Sequence, residues 1–285
     1  MTHALLTGTI IKGIAGQYTV DTAQGQYICS ARGLFRKQNA SPIVGDQVQV
    51  KPESESKGML SAILPRRNEL KRPKVANVDL VMVVLAAAQP ELHFTMLDRY
   101  LIQAEYEQIE AAICVNKNDL DEDIPVKVQE IYQAAGYPVF IVSATDHQGL
   151  TALENFLQGK TTVLAGPSGV GKSSIINALT GKGLEVGKVS QRIGRGKHTT
   201  RHTEFIPLSE HHSYVIDTPG FSSLDPPKIP KEERAQLFKE FRPHLGNCRF
   251  NNCLHNKESN CAIKQQLNIS ISPHRYEQYL EWIKD

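Results

Sequence analysis

The residues best suited to chemistry in this chain are Gly166, Pro167, Ser168, Gly169, Val170, Gly171, Lys172 and Ser173, which fill every fixed position of the pattern GxxxxGK[ST]. Glycines at those places let backbone N–H groups turn inward on phosphate oxygens. A helix starting at Ser174 would add the partial positive charge of its N-terminus. Lys172 is then placed for the β- and γ-phosphates, and the Ser173 hydroxyl for Mg²⁺. A chance match in a glycine-rich loop is the competing reading. A strand predicted over Thr161–Ala165 and a helix opening with Ser174, Ile175 and Ile176 argue against it. The loop predicts a nucleotide but not its base.

Asn116-Lys117-Asn118-Asp119 follows a strand predicted over Ala111–Val115. NKxD is the guanine-recognition pattern of GTPases, for a reason of hydrogen-bond polarity. The carboxylate of Asp119 accepts from guanine N1–H and from the exocyclic amine. Adenine offers neither donor and would leave the carboxylate buried and unpaired. Lys117 would lie along the base plane, and Asn116 would tie this loop to the phosphate loop. Ser143 and Ala144, after a strand predicted over Val139–Val142, fit the accessory loop whose backbone N–H meets guanine O6. Asp217-Thr218-Pro219-Gly220 reads as DxxG, with Asp217 near Mg²⁺ and the Gly220 N–H sensing the γ-phosphate. The order is unusual: NKxD and the Ser-Ala pair precede the phosphate loop. All parts are present, so the sheet has been reopened rather than truncated.

A third constellation is Cys248-x₄-Cys253-x-His255-x₅-Cys261, three thiolates and one imidazole within fourteen residues. A tetrahedral Cys₃His set is a closed structural site for one Zn²⁺, with no open position for catalysis. Unrelated free thiols are the bland alternative. Cys29 and Cys114 lie in predicted strands and are expected to be buried and inert.

The elements that must position these residues follow from pattern. Five short strands, over Thr7–Lys12, Gln17–Asp21, Gln26–Ala31, Asp46–Lys51 and Gly58–Ile63, are rich in β-branched residues and separated by glycines. They predict a small five-stranded barrel of the OB type, with an SH3-like barrel scoring nearly as well. Leu64–Val75, with Pro65 and Pro73, reads as a linker. Beyond it, strands alternate with helices: Val78–Ala86, a helix over Phe94–Gln108 burying Leu97, Leu101, Ile102 and Tyr106, then Val126–Ala135 and Leu150–Gln158 as helices between strands. That alternation predicts a parallel sheet covered by helices on both faces. After Pro226, Pro227 and Pro230 the chain is again mainly helical around the cysteine loop. The boundaries predicted are 1–67, 68–225 and 226–285.

With 40% hydrophobic and 22% charged residues in 285, the composition is that of an ordinary globular chain and excludes disordered and fibrous classes. No apolar run approaches the ~20 residues that span a bilayer, and the first residues lack a secretory leader. A cytoplasmic protein without a membrane role is expected. Net charge is only +2, but two local runs are basic. Pro65–Lys74 carries Arg66, Arg67, Lys71, Arg72 and Lys74 against Glu69. Lys188–His202 carries Lys188, Arg192, Arg195, Lys197 and Arg201 and no acid. Such runs are often merely solvated, yet beside phosphate-handling motifs they favour a polyanionic partner such as RNA.

The permuted motif order, together with the Cys₃His set, resembles the ribosome small-subunit-dependent GTPase A family of bacterial circularly permuted GTPases, over essentially the whole chain. The resemblance implies an N-terminal OB-fold, a circularly permuted α/β P-loop GTPase domain and a C-terminal, mainly helical zinc-binding domain. It implies hydrolysis of GTP to GDP, stimulated by the small (30S) ribosomal subunit, in late maturation of that subunit, with 16S rRNA as a partner and the chain a monomer. Phe221 stands where many GTPases carry a water-orienting glutamine just after DxxG. The first switch is expected at Gly194–Arg201, with Thr199 or Thr200 meeting Mg²⁺ and the γ-phosphate. His198 is similar to a switch histidine proposed in this family to act in glutamine's place, though an exposed histidine in a basic loop reads equally plainly. Two other readings compete: a nucleotide-gated RNA-binding protein with incidental hydrolysis, and a metabolic P-loop enzyme passing phosphate to a small acceptor. NKxD and DxxG together speak against the second.

Overall fold

The computed structural model describes residues 4–31, 41–71, 73–181, 204–208, 212–217 and 226–284. The chain separates into two units. One draws on Met1–Leu80, Glu154–Leu164 and Leu179–Phe221, the other on Val81–Leu153, Ala165–Ala178 and Ser222–Asp285.

The alternating N-terminal pattern forms β1 (Leu6–Ile14), β2 (Gln17–Thr22), β3 (Gly25–Ala31), β4 (Gln47–Pro52) and β5 (Lys57–Ile63). They close in the order β1-β2-β3-β5-β4, antiparallel except at the β3–β5 seam. Closure leaves no edge strand to cover. Ile10, Val20, Cys29, Val48, Val50 and Leu60 fill the interior. Burial pushes the Cys29 thiol up to about 11, with Glu53 adding to it, and burial alone pushes Cys114 up to about 12. Both thiols are therefore inert, as expected.

The stretch expected to be a linker is instead a hairpin, β6 (Glu69–Lys71) paired antiparallel with β7 (Lys74–Ala76), with Leu70 and Val75 buried. Its basic cluster is partly internal. Asp46 is fully buried and takes two bonds from Arg66, at 2.6 and 2.9 Å, while Arg66 also pairs with Glu69. Arg67 pairs with Asp79 at 2.5 Å. A buried carboxylate needs such a partner, so Arg66 serves the fold before any polyanion, whereas the Arg67 side chain stays 63% exposed.

The chain continues through β8 (Leu80–Ala86), α1 (Phe94–Tyr106), β9 (Glu110–Asn116), α2 (Asp123–Ala134), β10 (Val139–Ile141), α3 (Leu150–Leu157), β11 (Thr161–Ala165), α4 (Lys172–Thr180), β12 (Ile206–Pro207) and β13 (Tyr214–Asp217). In the first unit β11 lies parallel beside β13, and β12 is antiparallel to β13. In the second, β10 lies parallel beside β9, which neighbours β8. All seven residues of β8 are buried, as its unbroken apolar run requires. On α1, Leu97, Leu101 and Ile102 are buried as expected, but Tyr106 is 47% exposed, and Asp98, Tyr100 and Ala104 are buried instead.

The C-terminal segment holds α5 (Lys231–Arg234), 3₁₀ turns at Ala235–Leu237 and Lys239–His244, α6 (Ala262–Gln265) and α7 (Pro273–Lys284). Phe238, Phe241, Ile263, Tyr279 and Ile283 form its core together with Ile102 of α1. The buried Asp98 is explained by Arg275 of α7, which is itself fully buried. Arg275 bonds Asp98 Oδ1 and, at 2.7 and 3.2 Å, both oxygens of Glu240, and the Tyr132 hydroxyl donates to the same Asp98 oxygen at 3.0 Å. Replacing Arg275 with Met strands two buried carboxylates and should cost roughly 3–5 kcal/mol. Urea unfolding of the full chain measures this, and a loss below about 1 kcal/mol would show that the carboxylates find other partners. Among the described residues no helix is long and apolar enough to cross a membrane.

Candidate nucleotide site and metal centre

The all-buried strand β11 delivers the chain into the phosphate-type loop, and α4 begins at Lys172 directly after it. Two glycines are obligatory there. Gly166, at φ +134°, passes so close to β8 that a Cβ would sit 2.2 Å from Val84 O. At Gly171, φ +94°, a Cβ would sit 2.2 Å from Asn116 Nδ2. Lys172 Nζ donates to the carbonyls of Gly166 at 2.9 Å and Pro167 at 2.8 Å, which lays the ammonium across the loop. Val170 is buried, while Ser168 and Gly169 face solvent. The loop therefore combines glycines at positive φ, a helix N-terminus and a cation, the equipment for a polyphosphate. Ser173 and Ser174 open the helix itself.

Asn116 ends β9 and is 2% exposed. Its Nδ2 donates to Val170 O at 3.0 Å, and its Oδ1 accepts from Ala144 N at 3.1 Å. One side chain thus ties three loops together, as the sequence suggested for two of them. Lys117, at φ +62°, donates from Nζ to Gly169 O at 2.8 Å and also to Gln89 O. Asp119 Oδ1 accepts from Ser143 Oγ at 2.7 Å, and Ser143 Oγ in turn accepts from Asp146 N at 3.2 Å.

Three of these contacts escape a motif reading. Ser143 was singled out for its backbone, yet its hydroxyl orients Asp119, while its amide bonds Gln148 O at 3.1 Å. Gln89 contributes a carbonyl, which leaves no signal in residue type. Tyr100, buried on α1, receives the Gly166 amide on its hydroxyl; burial raises its pKa and that donor pulls it down. A buried aromatic beside a glycine loop is the only trace it leaves in sequence.

Asp217 is the last residue of β13, in register with Leu164 of β11. Its side chain lies outside the described residues, as do Gly220, Phe221, His198, Thr199, Thr200 and the whole basic run Lys188–His202.

Cys248, Cys253, His255 and Cys261 converge, with their ligand atoms all within 4.8 Å of one another. Cys248 Sγ and Cys261 Sγ lie 3.9 Å apart, and each is 3.4 Å from His255 Nδ1. A tetrahedral Zn²⁺ with Zn–S near 2.3 Å and Zn–N near 2.0 Å spaces its ligand atoms about 3.5–3.8 Å apart, so the donor set fits such an ion. Burial lowers the His255 pKa, with Glu258 opposing, which favours the neutral imidazole that ligates. Burial, with the neighbouring thiols adding to it, raises Cys253 and Cys261, and a dication at the centre would reverse that. The loop is braced from α7: Tyr276 donates to His255 O at 2.7 Å and Tyr279 to Leu254 O at 2.8 Å. Glu258 accepts from the amides of Leu254 and Asn256 at 2.7 and 2.8 Å.

Known proteins resemble this chain in sequence and fold. The family model described as RsgA GTPase matches residues 63–227, and that described as RsgA N-terminal domain matches residues 7–60. The small ribosomal subunit biogenesis GTPase RsgA of Alkaliphilus metalliredigens is 47% identical over 97% of this chain and 96% of its own length. The protein of the same name from Agathobacter rectalis is 45% identical over 96% of each. The crystal structure of YjeQ from Thermotoga maritima covers 99% of this chain and 98% of its own at a TM-score of 0.82 and 34% identity. That of YloQ, a circularly permuted GTPase, covers 99% and 95% at 0.82 and 36%. Matched by that model over more than half its length and by these relatives almost end to end, the chain belongs to the RsgA GTPase family.

Proposed function

We propose that this chain hydrolyses GTP to GDP and phosphate in late maturation of the small ribosomal subunit, and that the 30S particle and its 16S rRNA stimulate the reaction. The observation carrying this reading is the Asn116 side chain, bonded at once to Val170 O of the phosphate loop and to Ala144 N. It ties the loop that carries Asp119 to the loop that would hold the phosphates. Asp119 selects the base, with Lys117 along its plane. The Ala144 amide reaches guanine O6 only by sharing or leaving Asn116 Oδ1. Gly166 to Ser174 hold the phosphates, Lys172 turning from the loop carbonyls to the β- and γ-oxygens, and Ser173 and Asp217 hold Mg²⁺, which would supply charge neutralisation there. Gly220 senses the γ-phosphate. His198 orients the attacking water in place of the glutamine that Phe221 displaces, and Thr199 or Thr200 completes the first switch. One Zn²⁺ bound by Cys248, Cys253, His255 and Cys261 shapes the C-terminal domain. The three-part division at 67/68 and 225/226, a monomeric state and a cytoplasmic setting belong to the same reading.

Phosphate release from GTP by the purified chain, alone and with isolated small or large subunits, tests it. The expected result is slow release alone and at least a tenfold gain with the small subunit only, since a partner that orders a catalytic residue is worth several orders of magnitude in other GTPases. Equal release with either subunit or neither would remove the ribosome from the mechanism and leave a nucleotide-gated protein with incidental hydrolysis.

A further inference from the structure

The register of β1 against β2 slips between Ile10, opposite Val20, and Lys12, opposite Thr19. Ile11 is the extra residue of a bulge, and a bulge frees a backbone group from the ladder and re-aims it. Here the freed Ile11 carbonyl accepts from Phe205 N at 2.8 Å, and Lys12 and Glu204 form an antiparallel bridge. Lys12 Nζ pairs with the Glu204 carboxylate at 2.8 Å. A second tie runs from β13: the Tyr214 hydroxyl donates to Asp21 Oδ2 of β2 at 2.6 Å. Phe205 and Tyr214 are 1% and 2% exposed, with ring centroids 5.5 Å apart. β12 and β13 are themselves paired, Ile206 with Val215 and Pro207 with Tyr214. The barrel therefore grips this strand pair at two places, through backbone and side chains.

What lies at the two ends of that pair gives the grip a consequence. The stretch read as the first switch ends at Arg201, three residues before Glu204, and β13 ends on Asp217 of DxxG. We infer that the barrel is a coupling element for hydrolysis, in which Lys12 and Asp21 are positioning residues that act through Glu204 and Tyr214 on the strands leading into both switches. This rests on the assignment of the switches proposed above. A load on the barrel displaces residues 204–208 and 212–217 together, and a γ-phosphate engaging DxxG pulls on the same strands from the other end. Linkage makes the two effects reciprocal.

Tyr214→Phe keeps the packed ring and deletes the donor. Lys12→Glu reverses the ion pair, and Glu204→Lys in the same chain restores it in the opposite sense. At saturating small subunit, Tyr214→Phe and Lys12→Glu should each lower stimulated kcat by about five- to tenfold, a typical coupling factor. The KM for GTP and the unstimulated rate should stay within about twofold, and the swapped pair Lys12→Glu/Glu204→Lys should recover most of the loss. A merely structural contact would move stability and the basal rate as well, and loss of subunit binding by Lys12 would not be rescued by the swap. Backbone hydrogen exchange reads the link without the ribosome. Exchange at Leu6–Ile14 and Gln17–Thr22 should differ between GDP and a non-hydrolysable GTP analogue in the parent chain, and that difference should vanish in Lys12→Glu/Tyr214→Phe. Exchange identical in both nucleotide states overturns the coupling, whatever the subunit does. A nucleotide-dependent difference in a chain the subunit fails to stimulate would sink the ribosome reading and leave the coupling standing.

Discussion

Replacing Asp119 with Asn should turn this protein from a guanine to a xanthine nucleotide binder. A carboxylate facing guanine accepts two hydrogen bonds, from N1–H and the 2-amino group, each worth about 1.5–3 kcal/mol when the acceptor is charged. An amide keeps one acceptor and sets an N–H₂ against the amine, so GDP affinity should fall by roughly 10²–10⁴. Xanthine carries a carbonyl where guanine has the amine and matches the amide's donor. The geometry around Asp119 makes the exchange clean. Ser143 Oγ receives Asp146 N–H and so spends its own proton on Asp119 Oδ1, at 2.7 Å. In Asp119→Asn that proton selects the rotamer with the amide oxygen towards Ser143, which leaves Nδ2 on the other side to meet the xanthine carbonyl. Among the described residues neither Asn116 nor Lys117 hydrogen-bonds this carboxylate, and their bonds to Val170 O and Gly169 O should persist. Titration calorimetry with GDP and XDP on both chains measures the swap. Unchanged GDP affinity in Asp119→Asn would show that the base is read elsewhere.

Much of this site was legible because its signals are local. The phosphate loop, NKxD and the cysteine spacing each occupy fewer than fifteen consecutive residues, and the elements around them follow from short apolar periods. The parts that were not legible depend on partners far away in sequence. Asp98 looks like a solvent-facing helix residue until Arg275, 177 positions later, is placed beside it. Tyr106 fits the apolar stripe of α1 but lies at the helix end, where 47% of it reaches solvent. Pro65, Pro73 and five basic residues read as a linker. The hairpin there is held by Asp46, which lies twenty positions before Arg66 and whose burial no local pattern reveals. Backbone donors and acceptors are harder still. The Gln89 carbonyl under Lys117 and the Ile11 carbonyl at the β1 bulge depend on chain path, not residue type.

If the Cys₃His set holds Zn²⁺ as proposed, removing the ion should disrupt residues 245–262 more than any other part of the chain. The segment between Leu245 and Ala262 has no regular element, and its shape comes from four converging ligands, the Glu258 carboxylate and two tyrosine hydroxyls. Without a dication the Cys248 and Cys261 sulfurs and the His255 imidazole are crowded at 3.4–3.9 Å, with Cys253 also within 4.8 Å, and no ion holds them together. Structural Zn²⁺ supplies about 10–16 kcal/mol of apparent folding free energy in small finger peptides. Less is at stake here, because Phe238, Phe241, Tyr279 and Ile283 retain their own packing around Ile102. Cys248→Ser, or a strong chelator acting on the parent chain, should therefore unfold residues 245–262 while α7 stays helical, and lower the unfolding midpoint of the C-terminal segment by ten degrees or more, roughly what a loss of about 2–3 kcal/mol does to a small domain. GDP affinity should change less than about tenfold, since the bonds of Asn116, Asp119 and Lys172 run to Val170, Ala144, Ser143, Gly166 and Pro167, within the nucleotide loops. Mass spectrometry under native conditions counts the ion, and hydrogen exchange locates the unfolding. One zinc per chain, with exchange rising first at residues 245–262, is the expected outcome. A metal-free chain with the same protection there would mean that the four side chains meet through packing alone, and the Glu258 and tyrosine bonds would then carry the loop.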